Sequence, residues 1–258
     1  MHKTLADYQT RIAALPDKPS YSRDDLLIPD FLLEKSGTLE IYYAPHNEYA
    51  NSQARVFIVG ITPGFQQMSQ AFVTAHRGLV AAKPLATIQY ECKVAARFSG
   101  SMRTNIINML DSLHLNQALG LASCAALFNE QDHWLHTVSL IPYPVFVKGT
   151  NYTGHTPKLG KTPLLMNYAR HTFAHEFGQL QHKDHVLLIP LGKAVEEVLQ
   201  QLTSEGCVDA SQILSGFPHP SGANVNRLKE LEKHRPALEA QIHQFAAAIA
   251  PLRTCSHQ

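Results

Sequence analysis

Residues 55–64, Arg55-Val56-Phe57-Ile58-Val59-Gly60-Ile61-Thr62-Pro63-Gly64, decide the fold. Val56 to Val59 form an unbroken apolar run in which three of the four side chains are β-branched. A short run without polar alternation reads as a strand covered on both faces, the environment at the centre of a parallel sheet. Gly60 ends the run, and Pro63-Gly64 rules out its extension, so the chain leaves the strand through a tight loop. A second run of the same kind, Val186-Leu187-Leu188-Ile189-Pro190-Leu191, ends at Gly192 and leads into a helix expected over 194–202. Further strands are expected at 134–141 and 212–216, with a short one at 39–43. Helical periodicity covers 70–83, 102–115 and 227–252. Another helix starts at Pro163, with Thr162 placed to accept its first free amides, and nears its end at Gly178. The segments 16–51 and 142–157 read as irregular cover and as a proline-rich loop.

Strands alternating with helices predict an α/β fold: three αβα layers around a doubly wound, mainly parallel four-stranded sheet, with ligands at the carboxyl ends of the strands. The two unusual loops, 60–67 and 217–227, fall at such ends. The chain has 258 residues and no internal repeat, and is read as a single domain. Residues 1–50 form an N-terminal helix, with Leu5, Tyr8, Ile12 and Leu15 on one side, and a wrapping segment; 51–252 form the core, and 253–258 a disordered tail. No apolar run is long enough to cross a bilayer and no secretory leader is evident, so a cytoplasmic protein without membrane association is expected. The cysteines at 92, 124, 207 and 255 show no paired spacing and are expected as reduced, mostly buried thiols. A net charge of +1 offers no general attraction to a polyanion. Binding to nucleic acid would need a local surface.

Gly60-Ile61-Thr62-Pro63-Gly64 after a buried strand, and His219-Pro220-Ser221-Gly222-Ala223-Asn224 before a helix, resemble in order and context the two signature motifs of the uracil-DNA glycosylase superfamily. The passage from Thr162 through 187–194 to Leu199 is similar to the stretch that precedes the second motif, so the resemblance covers roughly 39–231. It implies a cofactor-free, monomeric enzyme that flips a base out of DNA and hydrolyses its N-glycosidic bond. The transition state of that reaction carries positive charge on the sugar and negative charge on the departing base. One group must hold or activate a water, and another must stabilise the anion. The resemblance puts Thr62 at the first position and His219 at the second. It implies base contacts from Gly60, Ile61, Phe65, His136 and Ser139, and DNA contacts from Pro63, Gly64, Ser221, Gly222, Asn224 and Arg227. No lysine lies in either motif, so an imine with the sugar, and strand cleavage, are not expected.

The pattern also departs from its relatives. Many of them carry Asp or Asn where Thr62 stands, and a hydroxyl is a poorer base and a poorer water-holder. Either Thr62 only shapes the pocket, or Glu48, Gln66 or Gln67 positions the water. The Asn that uracil-reading relatives place near the end of the middle strand is absent from Leu135-His136-Thr137-Val138-Ser139. The resemblance with these departures implies a uracil-like base or a modified one as substrate, with the glucosylated hydroxymethylcytosine of phage DNA as the main alternative; a binding protein that does not cut is the rival class. The polar loop 147–155 would recognise a sugar, wedge DNA, or simply be solvated. Residues 98–105 would contact a phosphate or cap a helix. His171 and His175 share a helical face, but no third ligand is indicated and no metal is expected.

Overall fold

The structure is a computed structural model that describes residues 3–254 other than Ser99, Gln179 and Gln181. The helices are α1 (Leu5–Ala13), α2 (Arg23–Leu26), α3 (Phe65–Val80), α4 (Leu85–Ala96), α5 (Gly100–Ser112), α6 (Leu115–Leu119), α7 (Pro163–Tyr168), α8 (Ala174–Gly178), α9 (Lys193–Ser204) and α10 (Arg227–Thr254). The strands are β1 (Leu32–Ser36), β2 (Leu39–Tyr42), β3 (Val56–Gly60), β4 (Leu135–Ser139), β5 (Val145–Val147), β6 (Thr150–Asn151) and β7 (Leu187–Pro190). They belong to two compact units, each assembled from three separate stretches of chain. One holds residues up to Ala50 with 61–97 and 139–157; the other holds 51–60, 98–138 and the chain from Lys158 onward.

The second unit contains the parallel sheet, in the order β4-β3-β7. Val56 to Val59 pair in parallel with Leu187 to Pro190, as their unbroken apolar character dictates. Period-two alternation then divides the side chains between two faces. Val56, Ile58, Leu187, Ile189 and Leu135 join a core with Ile106, Met109 and Leu110 of α5 and Leu231, Leu238, Ile242 and Phe245 of α10. On the other face the Phe57 ring meets His136 at 4.6 Å and Phe177 at 5.9 Å. The α/β class and the parallel sheet are as the sequence predicts.

Among the described residues the fourth strand expected at 212–216 is reduced to one parallel bridge, Leu188 to Ile213, with the Leu214 N–H donating to the Leu188 carbonyl. Local backbone bonding prevents more. Residues 210–212 close a 3-10 turn capped by Asp209, the Gln212 side-chain amide donates to the Lys183 and Val186 carbonyls, and Gly216 sits at φ +89°. Thr162 is a second departure, since its hydroxyl donates back to the Lys158 carbonyl instead of accepting helix amides. The helix it precedes contains a π turn over Ala169–Phe173 between α7 and α8. The terminal helix runs on to Thr254, so 253–254 are helical, and the rest of the expected tail, with Cys255, lies outside the described residues.

The first unit is built on an antiparallel sheet, β1-β2-β5-β6, most of which the sequence reading takes for cover and loop. The residues explain it once seen. Val145-Phe146-Val147 and Thr150-Asn151 flank Lys148-Gly149, which both take positive φ (50° and 74°), the two-residue turn whose twist suits a hairpin. Helix α1 turns Leu5, Tyr8 and Ile12 inward as expected, while Leu15 lies beyond its end and is half-buried. Tyr8 stacks on Tyr43 at 3.9 Å, and Phe31 meets Phe72 of α3 edge-on at 4.8 Å.

This aromatic unit also encloses His46, which is 3% exposed on the 3-10 turn Pro45–Asn47 after β2. Neither ring nitrogen has a partner among the described residues. Burial, reinforced by the nearby Lys93 charge, pushes its pKa from 6.5 down to about 3. The unfolded chain takes up this proton near pH 6.5 and the folded chain only near pH 3. Stability is therefore complete above pH 6.5 and falls as the pH drops toward 3. We expect the single group to account for a loss on the order of 4 kcal/mol over that window. In urea titrations His46→Phe should be at least as stable as the parent at pH 7.5 and should lose most of this acid slope.

Candidate functional site

The first motif lies in the antiparallel-sheet unit from Ile61 onward, after Gly60 closes β3 in the other unit. Its anchor is Thr62. The Thr62 hydroxyl donates to the Tyr143 carbonyl at 2.7 Å and accepts from the Val145 N–H at 3.0 Å. The Ile61 carbonyl accepts from the Ile141 N–H at 3.0 Å, and Pro63 is buried. The loop is thereby sewn to the strand that begins at Val145. With its one proton committed, Thr62 keeps at most a lone pair for a ligand.

The residues considered as water-holders are employed in different ways. Glu48 accepts from the Leu5 N–H at the start of α1 (2.8 Å), the Tyr43 hydroxyl (2.5 Å) and the Gln89 amide (2.9 Å), so its carboxylate ties together a helix start, the end of β2 and α4. Gln67 accepts from the Gly64 N–H at 3.1 Å and donates to the Ala96 carbonyl at 2.9 Å, closing a capping box at the start of α3. Gln66 is exposed on the first turn of the same helix. Phe65 is half-buried; its ring meets Phe146 at 6.3 Å, and the Arg23 guanidinium lies 4.7 Å from its centroid. Its backbone N–H donates to Asn151 Oδ1 at 3.2 Å. Arg23 and Asn151 are motif-1 neighbours that the sequence reading misses. The hairpin signal around Lys148-Gly149 would have pointed to Asn151, whereas nothing local points to Arg23.

The second motif lies in the parallel-sheet unit, together with Gly60 and His136. His219 is half-buried, and the Ser221 N–H donates to its Nδ1 at 3.2 Å. Nδ1 is therefore the unprotonated nitrogen and Nε2 carries the hydrogen. Burial holds the imidazole below the usual histidine range, so the ring is neutral at physiological pH with a donor at Nε2. Gly192, just past β7 at φ +89°, makes room for it: a Cβ there would stand 3.1 Å from His219 Cβ. Asn105 of α5, at the end of the cluster 98–105, donates to the Pro220 carbonyl at 2.8 Å; Ser99 within that cluster lies outside the described residues.

The rest of the loop is a chain of short-range bonds. Ser221 Oγ accepts from the Ala223 N–H, Asn224 Oδ1 accepts from the Asn226 N–H, and the Asn224 side-chain amide donates to the His219 carbonyl and to Glu230. Arg227 donates to the Asn224 carbonyl from the first turn of α10. Gly222 is exposed, and a Cβ there would meet nothing within 4 Å, so packing does not explain its lack of a side chain.

His136 is placed elsewhere. It is 1% exposed, its Nδ1 accepts from the Asn51 N–H, and its Nε2 lies 2.6 Å from the Glu176 carboxylate on α8. With both nitrogens engaged inside the core, it has none to offer a base. Ser139 is half-buried at the end of β4, where the chain passes to the other unit.

Among known proteins, a chain from Bacillus subtilis (strain 168), described as uncharacterized protein YoxB, is 45% identical over 246 residues, 95% of this chain and 94% of that one. No family model matches, and no solved structure does.

The two hydrogen bonds of the Thr62 hydroxyl set its contribution to stability. Thr62→Val preserves shape but removes both of these hydrogen bonds and takes the acceptor from the Val145 N–H, and should lower the unfolding free energy by about 1–3 kcal/mol. Thr62→Ser should stay within about 1 kcal/mol of the parent in the same denaturation series.

Proposed function

The chain belongs to the YoxB family, and we propose that it is a monofunctional DNA glycosylase, which flips out a uracil-like or modified base and hydrolyses its N-glycosidic bond to leave an abasic site. The observation that carries the reading is the state of His219, neutral and with its hydrogen on Nε2. A neutral donor is what a departing base anion requires: it stabilises developing negative charge without bringing a full positive charge beside the cationic sugar. The Gly192 clearance and the Asn105 clamp support the same reading, because they hold the imidazole in place before a substrate arrives.

Around it, the Ser221 hydroxyl, the backbone at the uncrowded Gly222 and the Arg227 guanidinium suit oxygens of the DNA backbone, positioning the strand without reading its sequence. The parallel order β4-β3-β7, extended by the Leu188–Ile213 bridge, supports assigning the fold to the three-layer uracil-DNA glycosylase type. In this reading the enzyme is a cytoplasmic monomer, needs no cofactor and has DNA as its partner. A second reading is favoured by one observation, the commitment of the Thr62 proton to Tyr143: a protein that binds an altered base without hydrolysis.

Base release from defined oligonucleotides, followed by mass spectrometry, separates the two. Single strands and duplexes would carry uracil, hypoxanthine or hydroxymethyluracil, with phage DNA containing glucosylated hydroxymethylcytosine alongside. The parent should release free base from at least one of them. His219→Ala should lower the rate of release by about 10²–10³-fold. It should change DNA affinity by less than about threefold, since a group that acts on the departing base contributes little to ground-state binding. Binding of a modified oligonucleotide with no release from any substrate would establish the second reading.

A further inference from the structure

Inside the antiparallel-sheet unit, the 3-10 turn Pro45–Asn47 packs against α3 and α4. The His46 ring on that turn is buried, and neither of its nitrogens has a partner among the described residues. The polar side chains next to it in sequence are committed elsewhere. Asn47 Oδ1 accepts from the Lys93 ammonium at 3.1 Å, and its amide nitrogen donates to the Pro142 carbonyl at 3.0 Å. Glu48 accepts from the Leu5 N–H, the Tyr43 hydroxyl and the Gln89 amide. A phenyl ring would fill the same space without taking two polar atoms out of water, so packing does not explain an imidazole here. Buried polar atoms that the chain leaves unserved are commonly met by ordered water or by an ion.

Lys93 sets the sign of such an ion. It is 6% exposed on α4, so its positive charge is held inside the unit, close enough to oppose protonation of His46. The ring is uncharged at neutral pH and supplies a hydrogen from one nitrogen. With neither nitrogen tied to the chain, the tautomer can follow the ligand. An imidazole N–H near an ammonium suits an anionic oxygen and opposes a cation. We infer that His46 and Lys93 form a buried site for a small oxyanion, of the size of bicarbonate or phosphate, whose binding stabilises the unit that carries the first motif. The site lies within that unit and does not depend on the glycosylase reading.

The test follows the thermal midpoint of the full chain at pH 7.5 during titration with sodium bicarbonate and, separately, with sodium phosphate, each matched in ionic strength by sodium chloride. The parent's midpoint should rise by about 3–6 °C once an anion reaches roughly ten times its dissociation constant. His46→Phe should have a midpoint at or above the parent's in chloride and should show no rise with either anion. Lys93→Gln retains a donor without the charge and should bind about tenfold more weakly. In parent protein carrying nitrogen-15 histidine, the bound anion should shift the His46 ring resonances, which chloride should leave in place. A response to bicarbonate alone, or to phosphate alone, supports the site and identifies the oxyanion it takes. A parent that responds to neither anion beyond chloride, a His46→Phe variant that responds as the parent does, or a Lys93→Gln variant that binds as tightly overturns the inference and leaves the glycosylase reading standing.

Discussion

A single hydroxyl organises the antiparallel-sheet unit. Thr62 gives its proton to the Tyr143 carbonyl and takes the Val145 N–H, so the loop after β3 and the strand at Val145 become one piece of structure. Both bonds are inside a folded unit where an unmade bond to either backbone group would be expensive, which sets the rank order of contacts around them. The Phe65–Phe146 ring contact, the Asn151 cap and the Arg23 stack all presuppose this register. The side chains of the hairpin thus become part of the first motif although some eighty residues separate them in sequence. The same commitment limits the chemistry of the hydroxyl, since an oxygen that already donates and accepts within the fold is poorly suited to hold a water.

Three histidines illustrate how burial is turned to different ends. His136 has both nitrogens bonded, one to a backbone amide and one to a carboxylate, and acts as a pin between β4 and α8. His219 accepts a backbone N–H at Nδ1 and carries its hydrogen on Nε2. His46 has neither bonded among the described residues and packs as an aromatic ring that happens to carry nitrogen. For His46 and His219 the surroundings favour the uncharged form, because a cation taken from water into an apolar interior loses solvation that only a well-placed partner can replace.

The parallel sheet was legible because its strands are apolar runs of a length and composition that few other structures accommodate, and because glycine marks both exits. Residues 56–60 and 187–190 lie where their patterns place them. The antiparallel sheet was harder to see. Its strands are two to five residues long, mix exposed and buried positions, and depend on pairing between distant segments such as Leu39 with Val147. Helix α4 is not among the expected helices, although Ile88, Cys92 and Ala96 recur at helical spacing on its buried side. For the site, the motif loops could be found from their glycines and prolines, but not which polar groups remain free. Thr62, Glu48, Gln67 and His136 are all chemically plausible in sequence, and only their partners show how far each is already committed.

The interleaving of the two units bears on how the chain can be made. Every stretch of the antiparallel-sheet unit has been synthesised once the ribosome passes Pro157, whereas the parallel-sheet unit still awaits β7, α9 and α10. Until α10 emerges, Val56 and Ile58 lack the cover that Leu231, Leu238, Ile242 and Phe245 give them. The core around β3 is therefore complete only when the last helix has been made. Neither unit can then be excised as one contiguous fragment, because each is assembled from three separate stretches of chain.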